Sequence, residues 1–598
     1  MNIGSVHTSR LSWLQREMQQ KGISICIIPH ADAHQSEYIS PDDALVEWYS
    51  GFTGSAGTLV VGLNSIGLWT DGRYAIQAKI QLADTPIHLF IDGYDNVVGY
   101  DTWIEQGVAE GDVIGVDASV FSYKQYKAIN ELCVKNKLHL NATFQPINEL
   151  WKDKPTPVYL SPFVLEEKFS GEHVRSKLQR VRTEIAKLGA TCCLVSALDE
   201  IAWLLNCRGS DIEYNPVFKS FLFIKNDTLV VFLHQATCSP QVISYLVSIG
   251  VEIAEYDAIL PYLHTIRNVN VVYDPDKVSA ALLGAFDSSV IKIETISPIA
   301  RLKSIKNESE IHGCKNAMRK DGVVWVKLWR WLEDELVKQK VVTEEIVAKK
   351  LTELKKQQAG FVCESFKSIV AYAQNAAICH YAIANNKLIE SSSLVLIDTG
   401  THYVDGTTDT TRVIALGELS SLQKKEITLV LKGHIALAQA VFLKGTKGFQ
   451  LDALARQFLW KEGYDYAHGT GHGVGHCLNV HEGYASISPR AVQIALQAGM
   501  FITNEPGLYK ENEYGVRIEN VMLVKQVESD TSGRLLHFDT LTLCPLDTRM
   551  IDKILMTDEE HVWVEKYQQK VCDELSPLLD DEERDWLKEK TSYSKFNY

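Results

Sequence analysis

The stretch AHGTGHGVGHCLNVHEG, residues 467–483, restricts the fold of this chain more than any other. His468, His472 and His476 recur at intervals of four, which on a helix would make one stripe of imidazoles, and His481 follows. Between the first three stand Gly469, Gly471, Gly473 and Gly475. Each glycine costs a helix about 1 kcal/mol relative to alanine, so the sequence rejects the helix that the histidine spacing would allow. A phosphate-cradling loop is excluded as well, because no GxxxxGK[ST] pattern is present. The remaining reading is a tight segment of close backbone approach, in which the histidines hold different positions.

Carboxylates at the ends of apolar runs share this part of the chain. Asp398 closes the run SLVLID, and Asp409 enters the next one after an Asp405-Gly406 turn. Facing residues of an antiparallel pair have Cβ atoms about 4.5–5.5 Å apart, and paired metals lie about 3.5–4 Å apart, so two facing aspartates suit two ions. Glu505 ends FITNE before a Pro-Gly turn, and Glu519 interrupts the apolar GVRIENVMLV. Read singly, Glu519 could point to water by strand alternation and Asp398 could be a turn residue. Together they form a set. A carboxylate amid Val516, Ile518, Val521 and Met522 is costly to bury unless paired or metal-bound. Four carboxylates balance two divalent cations, with one imidazole and a bridging hydroxide to complete the shells. Oxygen-rich ligation with one nitrogen favours manganese, cobalt or zinc, and such a pair activates water for amide hydrolysis.

The 598 residues exceed one ordinary core. Residues 9–20 read as an amphipathic helix, GISICIIP as a buried strand, and GTLVVG and GLWTDGRY as strands joined through Asn64 and Ser65. After the linker-like WKDKPTP a second cycle runs through a basic helix at 175–188, the strand TCCLVS, DEIAWLLNCRG and two more strands. Trp48 and Trp203 occupy corresponding places, which points to a duplicated α/β unit. From Asn307 and Glu310, a capping-box pair, long helices alternate with short strands in an α+β pattern. The expected architecture is multidomain, α/β and α+β: two related α/β N-terminal domains at residues 1–150 and 151–300, then a catalytic domain at 301–598. The last residues, from about 549, read as a separate helical appendage.

A net charge of −15 spread along the chain argues against a nucleic-acid surface. No uncharged apolar run of membrane-spanning length and no basic-then-apolar leader appears, and the twelve cysteines include no CxxC pair. A cytoplasmic protein with reduced thiols, and without membrane or nucleic-acid partners, is expected.

The pattern Asp398-x10-Asp409, His472, Glu505, Glu519 resembles the metallopeptidases of the pita-bread fold. NAAICHYA (375–382), HGTGHGVGHCLNVHEG (468–483), TNEPGLY (503–509) and GVRIEN (515–520) resemble the aminopeptidase P, or Xaa-Pro aminopeptidase, family. WYSGFTGSAGTLVV, LWTDGRY and DEIAWLLNCRGSDIEYNPVFKSFL are similar to the two N-terminal domains of its long, three-domain cytosolic form.

The resemblance implies a C-terminal pita-bread catalytic domain with two divalent ions, manganese first and zinc or cobalt as alternatives. Their ligands would be Asp398, Asp409, His472, Glu505 and Glu519. It implies hydrolysis of the bond between an N-terminal residue and a following proline by a hydroxide bridging the two metals, with Glu505 taking its proton. His380 would stabilise the tetrahedral intermediate and His481 would contact the substrate near the scissile amide. His468, Tyr509 and Arg517 would line the proline-side pocket, with Arg517 also supporting the ligands. The partners implied are peptides with proline second and a second copy in a homodimer. His476 is expected to pack beside the site, and His402 to lie on a surface hairpin.

The sequence departs from the family pattern at Lys367, at Gln374 where glycine is common, at Tyr484 where proline is usual, and in lacking a proline after His-Tyr-Ala. A dipeptide-specific prolidase is disfavoured by length and the duplicated N-terminal units. A catalytically dead binding module is disfavoured because all five ligand positions are filled.

Overall fold

The computed structural model describes residues 3–94, 96–146, 151–381 and 386–594. Two compact units emerge, one of Met1–Val164, Glu172–Glu213 and Val217–Ala300, the other of Leu165–Gly171, Tyr214–Pro216 and Arg301–Tyr598.

The first unit contains the same sheet twice. Helix α1 (Ile3–Lys21) precedes strands β1 (Ile25–Pro29), β2 (Thr58–Gly62), β3 (Ile66–Asp71), β4 (Ile87–Asp92), β5 (Val113–Gly115) and β6 (His139–Asn141), in spatial order β4-β3-β2-β1-β5-β6. Helix α2 (Val174–Lys187) precedes β7 (Cys192–Val195), β8 (Ser220–Lys225), β9 (Leu229–Leu233), β10 (Glu252–Glu255), β11 (Asn270–Tyr273) and β12 (Ile291–Glu294), ordered β10-β9-β8-β7-β11-β12. The pairings match as well: β1 is antiparallel to β2 and parallel to β5, as β7 is to β8 and β11. Buried runs such as ICIIP and CCLV form the central strands because both faces of each sheet are covered.

In the second unit, Asn307 and Glu310 form the expected capping box at the start of α3 (Glu308–Val337). Trp325 and Trp329 of this helix pack on Val370, Val395, Ile397 and Ile414. These come from an antiparallel sheet of β13 (Ile369–Tyr372), β14 (Leu394–Thr399) and β15 (Thr410–Ala415), with β14 central. A six-stranded sheet is assembled from β16 (Val441–Leu443), β17 (Gly471–Gly473), β18 (Glu482–Ile487), β19 (Phe501–Asn504), β22 (Asn520–Gln526) and β23 (Leu535–Thr540), in order β16-β23-β22-β19-β17-β18. The hairpin β20 (Gly507–Lys510) and β21 (Tyr514–Arg517) lies between β19 and β22 in the chain. Helices α4 (Ser421–Ala438) and α5 (Phe449–Trp460) pack together.

The expected separate C-terminal appendage is corrected. Helices α6 (Asp558–Leu575) and α7 (Asp581–Thr591) bury Val564, Val571, Leu575 and Leu587 in the same core as Val323, Leu543 and Ile427. An apolar stripe on each helix had to be covered, and this core was the surface available within the unit.

Candidate metal centre

The glycine–histidine segment is extended, not helical. Gly471–Gly473 forms β17, and a Cβ at Gly471 would lie 2.0 Å from the Thr503 carbonyl oxygen of the neighbouring chain segment. Glycine is what lets this strand close on β19 and deliver His472 to the acids at its end. The His472 backbone N–H donates to Thr503 Oγ1 at 2.9 Å, and its Nδ1 lies 2.9 Å from the Gly473 carbonyl. That contact makes Nδ1 the protonated nitrogen and leaves the Nε2 lone pair for another partner.

The acids converge on that nitrogen. His472 Nε2 is 3.3 Å from Asp409 Oδ2 and 3.6 Å from Glu505 Oε1. Asp409, His472 and Glu519 each offer a ligand atom, all within 4.8 Å of one another. Glu505 and Glu519 both sit one residue beyond the last β19–β22 pair, Asn504 with Asn520, so the ends of two adjacent strands present them side by side. Asp398 and Asp409 do not face each other as expected. The register pairs Asp398 with Thr411 and Thr399 with Thr410, placing Asp409 just before β15. Thr411 fills the facing position, and its hydroxyl donates to Glu519 Oε2 at 2.7 Å.

Burial is the largest influence on Asp398, Glu505 and Glu519, and it pushes all three carboxyls up, with neighbouring acids adding to the shift. For His472 burial works against the charge, yet the Asp409 contact and the pull of Glu505 raise it to about 9. A cluster that seeks protons in this way is short of positive charge. Oδ1 of Asp398 is buried without a hydrogen-bond partner. Four carboxylates, one lone-pair nitrogen and an unused carboxylate oxygen fit divalent cations held by oxygen and nitrogen.

Arg517 ties the surroundings together. Its Nη2 donates to Asp398 Oδ2 at 2.6 Å, its Nε to Thr411 Oγ1 at 3.2 Å, and its Nη1 to Tyr509 Oη at 2.6 Å and to the Cys379 carbonyl at 3.3 Å. Tyr509 Oη also meets His468 Nε2 at 2.8 Å, and His468 Nδ1 lies 3.8 Å from Glu505 Oε2. The three expected pocket residues thus form one chain of contacts. His380 is half-buried and follows the residue whose carbonyl Arg517 holds. Gly515 permits the approach of this segment, since a Cβ there would meet the Ala376 oxygen at 1.8 Å. The rings of His481 and His472 meet edge-on, with centroids 4.4 Å apart.

His476 is buried, and its Nε2 is 3.2 Å from where a Cβ on Gly313 of α3 would stand, in keeping with a packing position. His402 is corrected: it is fully buried, with Nδ1 2.9 Å from Thr407 Oγ1 and Nε2 2.8 Å from the Tyr214 carbonyl. A short hairpin need not be a surface one, and this one is roofed by residue 214. Lys367 and Gln374 are exposed and Tyr484 is half-buried; residues 382–385, from the alanine of His-Tyr-Ala onward, lie outside the described residues.

Sequence reasoning missed several supporting residues. Arg412, 1% exposed, donates to the Thr411, Glu519, Cys544 and Pro545 carbonyls, to Asn520 Oδ1 and to Tyr567 Oη. An arginine inside TTRVIALG was the signal, of the same kind as Glu519. His434, also fully buried, lies 3.0 Å from Asn520 Nδ2 and 3.2 Å from the Ile518 carbonyl.

Residues 312–526 match metallopeptidase family M24, 10–150 and 153–310 match the creatinase/prolidase N-terminal domain, and 534–593 match the C-terminal region of peptidase M24. A probable Xaa-Pro aminopeptidase P of Tuber melanosporum is 38% identical, over 98% of this chain and 99% of that protein. The chain belongs to the aminopeptidase P family of M24 metallopeptidases. Aminopeptidase P2 of Arabidopsis thaliana is likewise 38% identical, over 96% of this chain and 86% of its own length. The X-prolyl aminopeptidase of Caenorhabditis elegans, described as a cytosolic enzyme with a di-nuclear active site, superposes with a TM-score of 0.94 at 31% identity. That match covers 99% of this chain and 100% of the other. As in that family, creatinase-type N-terminal domains precede a pita-bread domain here.

Proposed function

We propose that this chain is a metal-dependent Xaa-Pro aminopeptidase, releasing the first residue of peptides whose second residue is proline. The observation that carries the reading is the cluster of Asp409, His472 and Glu519, flanked by Glu505 and Asp398. These five residues would hold two divalent ions, proposed to be manganese. When bound, the ions lower the pKa of a shared water and polarise the scissile carbonyl.

The protein's own groups supply the rest. Glu505 takes the proton of the attacking water, a task suited to a carboxylate whose Oε1 lies 3.6 Å from His472 Nε2 in the same cluster. His380 and His481 donate to the substrate as negative charge develops on its carbonyl oxygen, since imidazoles both donate and shuttle protons near neutral pH. His468, Tyr509 and Arg517 form the wall for the proline ring. A proline nitrogen has no N–H and its φ is fixed, so recognition rests on shape. We further propose the divisions 1–150, 151–300 and 301–598, a cytoplasmic location and a homodimer. The cytosolic description of the C. elegans enzyme supports the location. Among the described residues no helix is long and apolar enough to cross a membrane.

The test is to strip the protein of metal, restore Mn²⁺, Zn²⁺ or Co²⁺, and assay Xaa-Pro-Xaa, Xaa-Ala-Xaa and Xaa-Pro peptides. Metal-dependent cleavage of the first is expected. Its absence overturns the reading, and cleavage of Xaa-Pro alone turns it into a dipeptidase.

A further inference from the structure

Glu482 follows His481 directly and is 2% exposed. Its two carboxylate oxygens are divided between two buried ammonium groups. Lys303 Nζ donates to Oε1 at 2.8 Å and Lys306 Nζ donates to Oε2, with both lysines 4% exposed. Lys306 is itself fastened, through its backbone N–H to the Gly499 carbonyl at 2.9 Å and its Nζ to the Ser304 carbonyl at 3.3 Å. All these residues belong to the second compact unit.

A buried ion cluster of this kind is a poor way to gain stability. Desolvating three charges costs several kcal/mol per ion, and apolar replacements of similar size are often neutral or stabilising. What the cluster does supply is a fixed point. Glu482 opens β18 and pairs with Gly473, next to the candidate ligand His472, across a register shift between residues 472 and 473. The backbone of Glu482 is therefore held from β17, and its side chain from the two lysines. His481 directly precedes that anchor in the chain, and its ring is perpendicular to that of the candidate ligand His472. Exposed Gly483 follows, where a side chain would meet nothing within 4 Å.

We propose that Glu482, clamped by Lys303 and Lys306, is the positioning residue that aims the His481 imidazole at the substrate. The inference deepens the proposed aminopeptidase reading and rests on its use of His481. Glu482 touches no substrate and acts only through its neighbour. Losing its charge misdirects one donor while leaving the five metal positions unchanged.

The experiment compares Glu482→Gln, Glu482→Asp, His481→Ala and the double variant Glu482→Gln/His481→Ala, each manganese-loaded. Glu482→Gln should lower kcat on an Xaa-Pro-Xaa peptide on the order of 10–100-fold, the scale of a roughly 1 Å misplacement, with metal content unchanged. Glu482→Asp should recover part of the loss. In the His481→Ala background the glutamine should cost less than about threefold more, as expected for coupled residues. A full additional loss there, or near-normal activity of folded Glu482→Gln, overturns the proposal. A readout independent of turnover is carbethoxylation of His481 followed by mass spectrometry, which should be several-fold faster in Glu482→Gln. An unchanged rate counts against the clamp. Should Glu482→Gln fail to fold, Lys303→Met and Lys306→Met carry the same comparison, each expected to give a smaller loss of the same kind. If the wild-type protein cleaves no Xaa-Pro peptide, the functional reading fails, and the labelling arm still decides whether Glu482 fixes His481.

Discussion

Arg517 Nη2 holds Asp398 Oδ2 at 2.6 Å, while Oδ1 of the same carboxylate is buried without a hydrogen-bond partner. One oxygen is paired with the guanidinium, and the other is the one proposed above to meet a cation. The arginine is 3% exposed, and its charge offsets only part of the upward push that burial gives the Asp398 carboxyl.

Removing that counter-charge should be felt most in the stripped protein. Breaking a buried pair from one side costs about 3–5 kcal/mol, because the surviving charge is left alone. Arg517→Gln should lower the melting temperature of the metal-free form by more than that of the manganese-loaded form. Metal affinity or activity should fall about 10–100-fold, as for other groups that orient ligands. Equal melting shifts in the two forms would show that Arg517 does not serve the cation site.

Glu505→Gln keeps the shape of the side chain and removes its proton acceptor. Turnover should be abolished while the circular dichroism spectrum stays that of the wild type. Near-normal cleavage would refute the role of proton acceptor.

Tyr509 Oη joins His468 to Arg517, so Tyr509→Phe should disconnect the pocket wall without opening a cavity. A loss of about 10-fold in kcat/KM is expected, about the effect of 1.4 kcal/mol in transition-state binding. The loss should be larger for Xaa-Pro-Xaa than for any residual Xaa-Ala-Xaa cleavage. A uniform loss on both substrates would remove the hydroxyl from proline recognition.

Asp321 of α3 gives a pH prediction. Burial pushes its carboxyl up to about 6, and the charge of Lys355 and the Thr401 hydroxyl bond at 3.2 Å offset this only in part. The unfolded chain releases this proton near pH 3.9, so between about pH 4 and 6 the folded state alone retains it. Stability therefore falls as pH rises through that window, by about 3 kcal/mol in total, and the whole penalty is present at pH 7. Asp321→Asn should raise the melting temperature at pH 7 and flatten its dependence between pH 4 and 6. A lower melting temperature at pH 7 would show that the ionised carboxylate is needed instead.

Much of the site was legible because its chemistry conflicts with local preference. Glu519 in an apolar run, and glycines set between histidines, are expensive in any fold that does not use them. Asp398 and Glu505 announced themselves as acids at the ends of apolar runs, and Glu519 as an acid inside one. The supports were harder to see. Arg412 and Glu482 carry ordinary charged side chains whose partners lie more than 100 residues away, at Glu519 and Lys303. No local pattern encodes such a pairing.

The sequence by itself pointed to several of the strands, the duplicated N-terminal units, the non-helical glycine–histidine segment and the candidate metal set, because backbone propensity and the cost of burying charge act residue by residue. Only the tertiary structure decided how they meet. Register set Thr411, not Asp409, opposite Asp398; packing drew the C-terminal helices into the core of their unit; and residue 214 covered His402. Register and packing depend on which distant surfaces touch, and that is settled by the whole chain burying its apolar area at once.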